Sequence, residues 1–222
     1  MSPKQDQSLG KGSEKTPASN RQTEKTAQTR ARLLRSAETI FARDGFEAAK
    51  LEEIAADAGY TRGALYANFD SKEDLFIALL AEEVERRIAL ARERAAARAR
   101  LALPADQVYR TVRQNYIHFL RNRTWNILFL EYKLFVLRHP EFRAKITAMQ
   151  TSVNASAASA LEEIFAGIGG HPPVSILAAA TALASLANTI SLDLAIGRNV
   201  TETEADKLLE LFFNAVSGHP TA

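Results

Sequence analysis

The residue with the clearest chemical role in this 222-residue chain is Thr61, which follows a Gly-Tyr pair and precedes Arg62. A threonine in this position can cap a helix, because its hydroxyl accepts a hydrogen bond from a backbone N–H of the first turn. The hydroxyl and the free N–H groups behind it form a seat for a phosphate. The pattern therefore indicates anion binding at the start of a short helix.

Positive charge is concentrated near the N-terminus. Residues 1–35 hold eight Lys or Arg against three acidic residues, whereas the whole chain has a net charge of only +2. Such a local excess suits a phosphate backbone, although a solvated tail would have the same composition.

Residues for catalysis or metal binding are sparse. The chain has no cysteine, no Gly-rich phosphate loop, and four histidines far apart in the sequence: His118, His139, His171 and His219. We therefore expect no catalytic residues, no metal and no cofactor. Saturable turnover of a small molecule would contradict this expectation and favour an enzyme. The absence of cysteine and of an apolar segment in the first twenty residues favours a cytoplasmic protein.

The elements that position Thr61 are helices, because apolar residues recur at spacings of three and four from about Thr26 onward. The first predicted helix ends at Gly45, after which Phe46 folds back onto the apolar face. Ser71 and Asp74 predict a capping box at the start of a long helix that runs to about residue 100. Prolines and caps predict further helices over 104–121, 124–138, 140–167, 174–196 and 202–217.

The segment Leu51–Phe69 has the spacing of a helix-turn-helix. Ala55 is small where the two helices cross, Gly59 allows the tight turn, and Leu65 fills the seam from the second helix. Any tight helix pair needs these features, so the spacing alone leaves DNA binding and simple helix packing both open.

The residues that follow resemble the TetR family of bacterial transcriptional regulators. The shared pattern is Gly45-Phe46, then Ile54-Ala55-x-x-Ala58-Gly59, then Gly63-x-x-Tyr66-x-x-Phe69-x-x-Lys72-x-x-Leu75. The resemblance is specific over residues 28–76 and only architectural beyond them. It implies an all-α fold: a flexible basic tail (1–24), a three-helix helix-turn-helix DNA-binding domain (25–72), and a larger helical ligand-binding and dimerisation domain (73–222).

The resemblance also implies roles for individual residues. Arg62 would read guanine with two hydrogen bonds or hold a phosphate, and Tyr66 and Lys72 would contact the DNA backbone. The chain departs from the family at Lys50, which replaces a capping Thr or Ser but adds a positive charge, and at Tyr60, which packs at the turn or reaches the DNA. The predicted DNA-binding residues are Lys50, Tyr60, Thr61, Arg62, Gly63, Ala64, Tyr66, Asn68 and Lys72.

The predicted domain over 73–222, called the body below, has aromatic residues at helical spacing. They suit a cavity for a small, largely apolar or aromatic effector, although such a stripe is also typical of a plain core. The candidate ligand residues are Asn115, Tyr116, His118, Phe119, Trp125, Phe129, Tyr132 and Asn188. Asn126, Glu131, Asn154 and Asp193 are further polar candidates.

The last two predicted helices have the small and apolar residues that a helix-bundle interface needs. The predicted dimer residues are Ala178, Thr181, Ala182, Ser185, Leu208, Leu211, Phe212 and Ala215. A twofold homodimer would place two recognition helices roughly 34 Å or somewhat more apart, so the DNA operator should be an inverted repeat.

Val174–Leu192 is long enough to span a membrane, since it contains nineteen residues without a charge. The run is mostly Ala with several Ser, Thr and Asn, so its transfer into lipid would be weakly favourable at best. We therefore expect no membrane contact and a helix buried at a protein interface.

The resemblance implies a repressor that binds double-stranded DNA and is released by an effector, which shifts the long helix after Ser71. Three alternatives remain open besides an enzyme: an activator, a regulator without a ligand, and an architectural DNA-binding protein that ignores sequence.

Overall fold

The computed structural model describes residues 17–100, 121–168, 173–197 and 200–217, and these residues form helices joined by short turns without a strand among them. The all-α fold predicted from the apolar spacing is confirmed. The predicted helix over 104–121 lies outside the described residues. The helices are α1 (Pro17–Ala48), α2 (Leu51–Asp57), α3 (Arg62–Tyr66), α4 (Lys72–Ala99), α5 (Arg123–Arg138), α6 (Arg143–Ile168), α7 (Ile176–Ala195) and α8 (Glu202–Ser217).

The first helix, α1, begins at Pro17, so residues 17–24, which the resemblance places in the tail, are helical here. Proline suits a first turn because it has no N–H to leave unpaired and its φ is already close to the helical value. Regular helix stops at Gly45, whose φ of 79° interrupts α1 as the sequence predicts. Phe46 then turns into the core, where it is only 3% exposed.

Two helix starts are capped by the predicted hydroxyls. The Ala64 backbone N–H donates to Thr61 Oγ1 at 3.2 Å, and the Asp74 N–H donates to Ser71 Oγ at 3.0 Å. The predicted return contact of the capping box is replaced, because the Asp74 carboxylate pairs with Lys145 on α6. The Asp74 carboxylate therefore contacts the ammonium of a lysine on another helix and not the backbone at the start of its own helix.

Buried side chains form two clusters. The first joins α1, α2, α3 and α4 to α5 and the start of α6, while the second joins the end of α6 to α7 and α8. Phe41, Phe46, Phe76 and Phe135 pack as one aromatic group, with ring centroids between 4.8 and 5.8 Å apart for five of their pairs. The first core therefore continues across residue 72, the predicted domain boundary.

One described helix, α7, is long and apolar enough to cross a membrane, with a mean hydropathy of 1.4. Its inner residues, among them Ala179 and Leu183, are buried in the second cluster. Core helices of ordinary globular proteins have the same length and composition, so this helix is weak evidence for a membrane span.

Two glycines with positive φ allow a test of the α1 kink, and Gly45 also has a ψ of 166°, a combination that almost only glycine adopts. Gly45 and Gly59 have φ values of 79° and 77°, so replacing either with alanine should cost about 1–2 kcal/mol of stability. A Cβ at Gly59 would meet nothing within 4 Å, whereas a Cβ at Gly45 would lie 3.1 Å from Glu131 Oε1. We expect Gly45→Ala to lower the free energy of unfolding more than Gly59→Ala in urea titrations, because both the ψ of Gly45 and the contact with Glu131 disfavour a Cβ. Equal losses would contradict this ranking.

Candidate nucleic-acid interface

The short helix α3 is held against α2 by a seam of fully buried residues. Leu65, Ile54 and Ala55 are each no more than 1% exposed, as the helix-turn-helix spacing predicts. Gly59 takes the positive φ that the turn requires, and Thr61 caps α3. The opposite face of α3 is left open to solvent.

Arg62 and Tyr66 form an exposed pair on that open face. Arg62 Nη1 lies 2.5 Å from Glu52 Oε1, and Arg62 Nη2 donates to the Tyr66 hydroxyl at 3.2 Å. The hydrogen bond to Tyr66 and the charge of Glu52 raise the pKa of Arg62 above its usual value. Arg62 and Tyr66 thus present a guanidinium and a phenol side by side, and the guanidinium pairs with the Glu52 carboxylate.

Small residues beside this pair leave the backbone of α3 accessible. Gly63 is exposed and Ala64 half-buried. A Cβ at Gly63 would meet only Thr61 Oγ1 at 3.8 Å, which is an ordinary contact. Nothing within the described chain therefore requires a glycine here, whereas close approach of another molecule would.

Lys50 and Lys72 lie at the starts of α2 and α4 and differ in their surroundings. Lys50 is exposed, and its side chain makes no capping hydrogen bond, as its replacement of Thr or Ser implies. Lys72 Nζ donates to the Glu47 carbonyl at 2.8 Å and lies 4.9 Å from the centre of the Phe46 ring. Lys72 therefore also has a structural role that its sequence position does not reveal.

Two predicted DNA-binding residues point partly inward. Tyr60 is half-buried against the first core cluster. Asn68 is also half-buried, and its Nδ2 donates to the Ala64 carbonyl at 2.8 Å. Both side chains help to shape α3 and the turns beside it.

Two residues that sequence reasoning missed fix α2 and α3 on α1. The Arg30 guanidinium donates to the Asn68 carbonyl at 3.3 Å and lies 4.4 Å from the centre of the Phe69 ring. The buried Ser36 hydroxyl lies 2.9 Å from the Ile54 carbonyl oxygen and 2.6 Å from Asp57 Oδ2. Their partners are 18 to 39 residues away, so no local sequence signal could have identified them.

The candidate ligand residues divide at the edge of the described chain. Trp125 and Tyr132 are buried on α5, Phe129 is half-buried, and the Trp125 indole N–H donates to Asn188 Oδ1 on α7 at 3.3 Å. The Tyr132 hydroxyl accepts a hydrogen bond from Gln150 on α6. Their neighbours Asn115, Tyr116, His118 and Phe119 lie outside the described residues.

A groove elsewhere contains none of these candidates. It has a volume of about 440 Å³ and lies between α1, α4 and α6, with apolar residues such as Ile77 and Met149 and with Arg30, Asp74 and Lys145 along its sides. The groove and the aromatic group around Trp125 are therefore separate features of the body.

The candidate dimer residues lie on the outer faces of α7 and α8. Ala178, Ala182 and Ala215 are exposed, Leu211 is 54% exposed, and Phe212 is half-buried. The hydroxyls of Thr181 and Ser185 donate to carbonyls of α7 itself, at 2.8 and 2.9 Å. Because these hydroxyls are satisfied within the helix, the outer face of α7 behaves as a small apolar surface.

Known proteins match this chain in the N-terminal region. Residues 33–79 match the family model for bacterial regulatory proteins, tetR family. The transcriptional regulator UidR of Escherichia coli is 39% identical over 74 residues, which are 33% of this chain and 37% of UidR. The repressor BepR of Brucella suis is 43% identical over 54 residues, 24% of this chain and 26% of BepR. The chain thus matches well under half the length of either relative, and both are regulators and not enzymes.

Solved structures share the fold over nearly the whole chain. A TetR-family transcriptional regulator from Mesorhizobium loti covers 86% of this chain and 98% of its own with a TM-score of 0.67 at 18% identity. FadR of Bacillus subtilis, solved with stearoyl-CoA, covers 84% of this chain and 98% of its own with a TM-score of 0.60 at 19% identity. The N-terminal motif matches the tetR family model over residues 33–79, and the described chain has the same fold as a TetR-family transcriptional regulator.

Proposed function

We propose that this protein is a homodimeric transcriptional repressor that binds an inverted-repeat DNA operator and releases it when a small, largely apolar or aromatic molecule binds. The observation that carries the proposal is the exposed face of α3, which presents Thr61, Arg62, Gly63 and Tyr66 on the side opposite the buried seam with α2. A short, firmly held helix with an exposed fork of donors suits the major groove of DNA.

Each residue on this face has a role that its chemistry supports. Arg62 gives the planar fork that pairs with guanine, and Tyr66 and Thr61 give hydroxyls for phosphate oxygens. Gly63 and Ala64 allow α3 to approach the bases closely, while Lys50 adds a charge at the start of α2. Tyr60 and Asn68 complete the proposed set from half-buried positions, where they shape the surface as much as touch DNA.

Lys72 offers a test of a backbone contact. Its ammonium carries three donors, and one of them bonds to the Glu47 carbonyl, which leaves two for a phosphate. We expect Lys72→Met to weaken DNA binding and to reduce the slope of log affinity against log salt by about 0.9 for each protomer, or about 1.8 for the dimer. Titrations at four salt concentrations measure this slope, and weaker binding with an unchanged slope would leave Lys72 with its structural role alone.

The proposed dimer joins α7 and α8 of two copies in a four-helix bundle. Exposed small residues on α7 let two helices approach closely, and Leu208 and Leu211 on α8 are 38% and 54% exposed in the single chain. A twofold arrangement presents two copies of α3 to successive turns of DNA, roughly 34 Å or somewhat more apart. This dimer explains an apolar α7 without a membrane, as expected of a regulator that works in the cytoplasm.

The proposed effector site is the aromatic region of α5, in the body over residues 73–222. Trp125, Phe129, Tyr132 and Asn188 combine apolar surface with a few hydrogen-bonding groups, which suits a largely apolar ligand. Two similar proteins support a ligand-released repressor, since FadR was solved with stearoyl-CoA and BepR is named as a repressor. Binding there would shift α4 and change the spacing of the two DNA-binding domains.

The first experiment is a mobility-shift assay on the DNA that flanks the gene of this protein, at two salt concentrations and with excess random DNA. We expect one fragment to remain bound in the presence of competitor and to be lost with the double variant Arg62→Ala, Tyr66→Phe. The control is Arg100→Ala, which removes one exposed positive charge just after the far end of α4. It should bind as the unsubstituted protein does.

The same assay distinguishes the alternatives. Equal binding to every fragment would favour an architectural protein, and no binding at all would overturn the proposal. The position of the bound fragment relative to the promoter separates a repressor from an activator, since a repressor overlaps or follows the polymerase site.

A further inference from the structure

The junction between α1 and α2 is held by a residue from the body. At Gly45 the chain leaves helical geometry, and the backbone N–H of Phe46 donates to Glu131 Oε2 on α5 at 2.9 Å. The contact is partly buried and joins residues 85 apart in the sequence. A carboxylate acceptor makes this hydrogen bond stronger than a neutral one would be.

The side chain of Phe46 is fixed by the same helix. Its ring centre lies 4.8 Å from that of Phe135, one turn after Glu131 on α5, and 5.0 Å from that of Phe76 on α4. His139, immediately after α5, adds a third contact, since its Nε2 lies 3.4 Å from Glu47 Oε1. Both the backbone and the side chain at the junction therefore follow the position of α5.

The junction leads directly to the proposed DNA-binding residues. Lys50 is the N-cap of α2, and Glu52 in its first turn pairs with Arg62 at the start of α3. A displacement of Phe46 would move the start of α2, and with it the partner that holds the Arg62 fork.

The other end of this connection is the proposed effector region. Trp125 and Asn126, near the start of α5, bond to Asn188 and Ser191 of α7 in the body. One helix of 16 residues thus carries groups that contact the body at its start and the α1–α2 junction at its end.

We propose that Glu131 is a positioning residue for DNA binding, and that through its bond to Phe46 a shift of α5 reaches α2 and α3. This inference rests on the proposed function, and it adds α5 as a route to the DNA-binding domain beside the shift of α4. Glu131 touches no DNA in this scheme and acts only through the junction.

The charge of Glu131 makes the test sharp. Removing an acidic group from a DNA-binding protein should strengthen DNA binding if charge alone mattered. If Glu131 positions the junction, Glu131→Gln should instead weaken binding to the specific fragment, by about fivefold or more. The matched control is Glu162→Gln, which removes an exposed acidic group from α6.

The experiment compares the full-length protein with Glu131→Gln, Glu131→Ala and Glu162→Gln in two measurements. Amide hydrogen exchange over residues 46–58 needs no DNA, and we expect exchange at Phe46 to become about tenfold faster in both Glu131 variants while α7 is unchanged. Mobility shift on the specific fragment should then show weaker binding by both Glu131 variants, an unchanged salt slope, and no loss for the control.

The outcomes separate this inference from the proposed function. If the unsubstituted protein binds its fragment and the Glu131 variants bind equally well or more tightly, the inference is wrong and the proposed function stands. Unchanged exchange at Phe46 also overturns it. If the unsubstituted protein binds no fragment, the proposed function is wrong. The proposed role of Glu131 in DNA binding is then wrong as well.

Discussion

Arg62→Ala is expected to weaken binding to the specific fragment by about 5- to 150-fold for each half-site, because a bidentate contact to guanine contributes about 1–3 kcal/mol and the dimer would lose two of them. The side chain is exposed and on the first turn of α3, where its fork can reach a base edge. Binding to random DNA should change much less, since only one charge is lost from each protomer. Fluorescence anisotropy with specific and random duplexes measures both effects.

Two further variants separate the planar shape of the Arg62 guanidinium, the fork, from its positive charge. Arg62→Lys keeps the charge but not the planar fork, so it should lose specificity while retaining affinity for random DNA. Glu52→Gln removes the partner that lies 2.5 Å from Arg62, and it should leave the fold intact because both groups are exposed. If Arg62→Lys kept full specificity, base reading by the fork would be ruled out in favour of a phosphate contact.

The second large effect is expected from charges placed in the proposed dimer interface. Ala182→Glu with Leu211→Glu should yield a monomer, because the twofold axis would bring four new like charges into an apolar bundle. The helices should remain, since both side chains are exposed in the single chain. Sedimentation velocity and circular dichroism test these two statements.

Loss of the dimer should reduce affinity for the specific fragment by about 10²- to 10⁴-fold, since one half-site no longer raises the effective concentration of the other. The control is Ala96→Glu, which adds a negative charge at an exposed position on α4. It should change neither the mass of the dimer in sedimentation nor its affinity for the specific fragment. A dimer that survives the double substitution, or a monomer with full affinity, would show that α7 and α8 do not form the interface that DNA binding requires.

The sequence predicted those features of the fold that depend on neighbouring residues. Gly45 ends regular helix because only a residue tolerant of positive φ suits that place, and Thr61 and Ser71 cap helices through N–H groups three residues away. The prolines at 104, 140 and 173 likewise indicated helix starts, and for 140 and 173 the described helices begin within three residues.

Contacts between distant residues could not be predicted. Arg30 bonds to the Asn68 carbonyl 38 residues away, and the Asp74 carboxylate pairs with Lys145 and not with its own helix start. Glu131 was a polar candidate for the effector, and its bond to the Phe46 N–H, 85 residues away, had no signal in the sequence. In each case the partner is chosen by how helices pack, and one sequence without its three-dimensional arrangement does not specify that packing.

The length of α4 has a consequence for the precision of the proposed switch. Its 28 residues form a rod about 42 Å long that begins beside the DNA-binding helices and continues into the body. A tilt of roughly 5° about the far end would carry its start through about 4 Å. That distance exceeds the rise of one base pair, about 3.4 Å, so a tilt too small to disturb the core would move each recognition helix by a full step along the DNA.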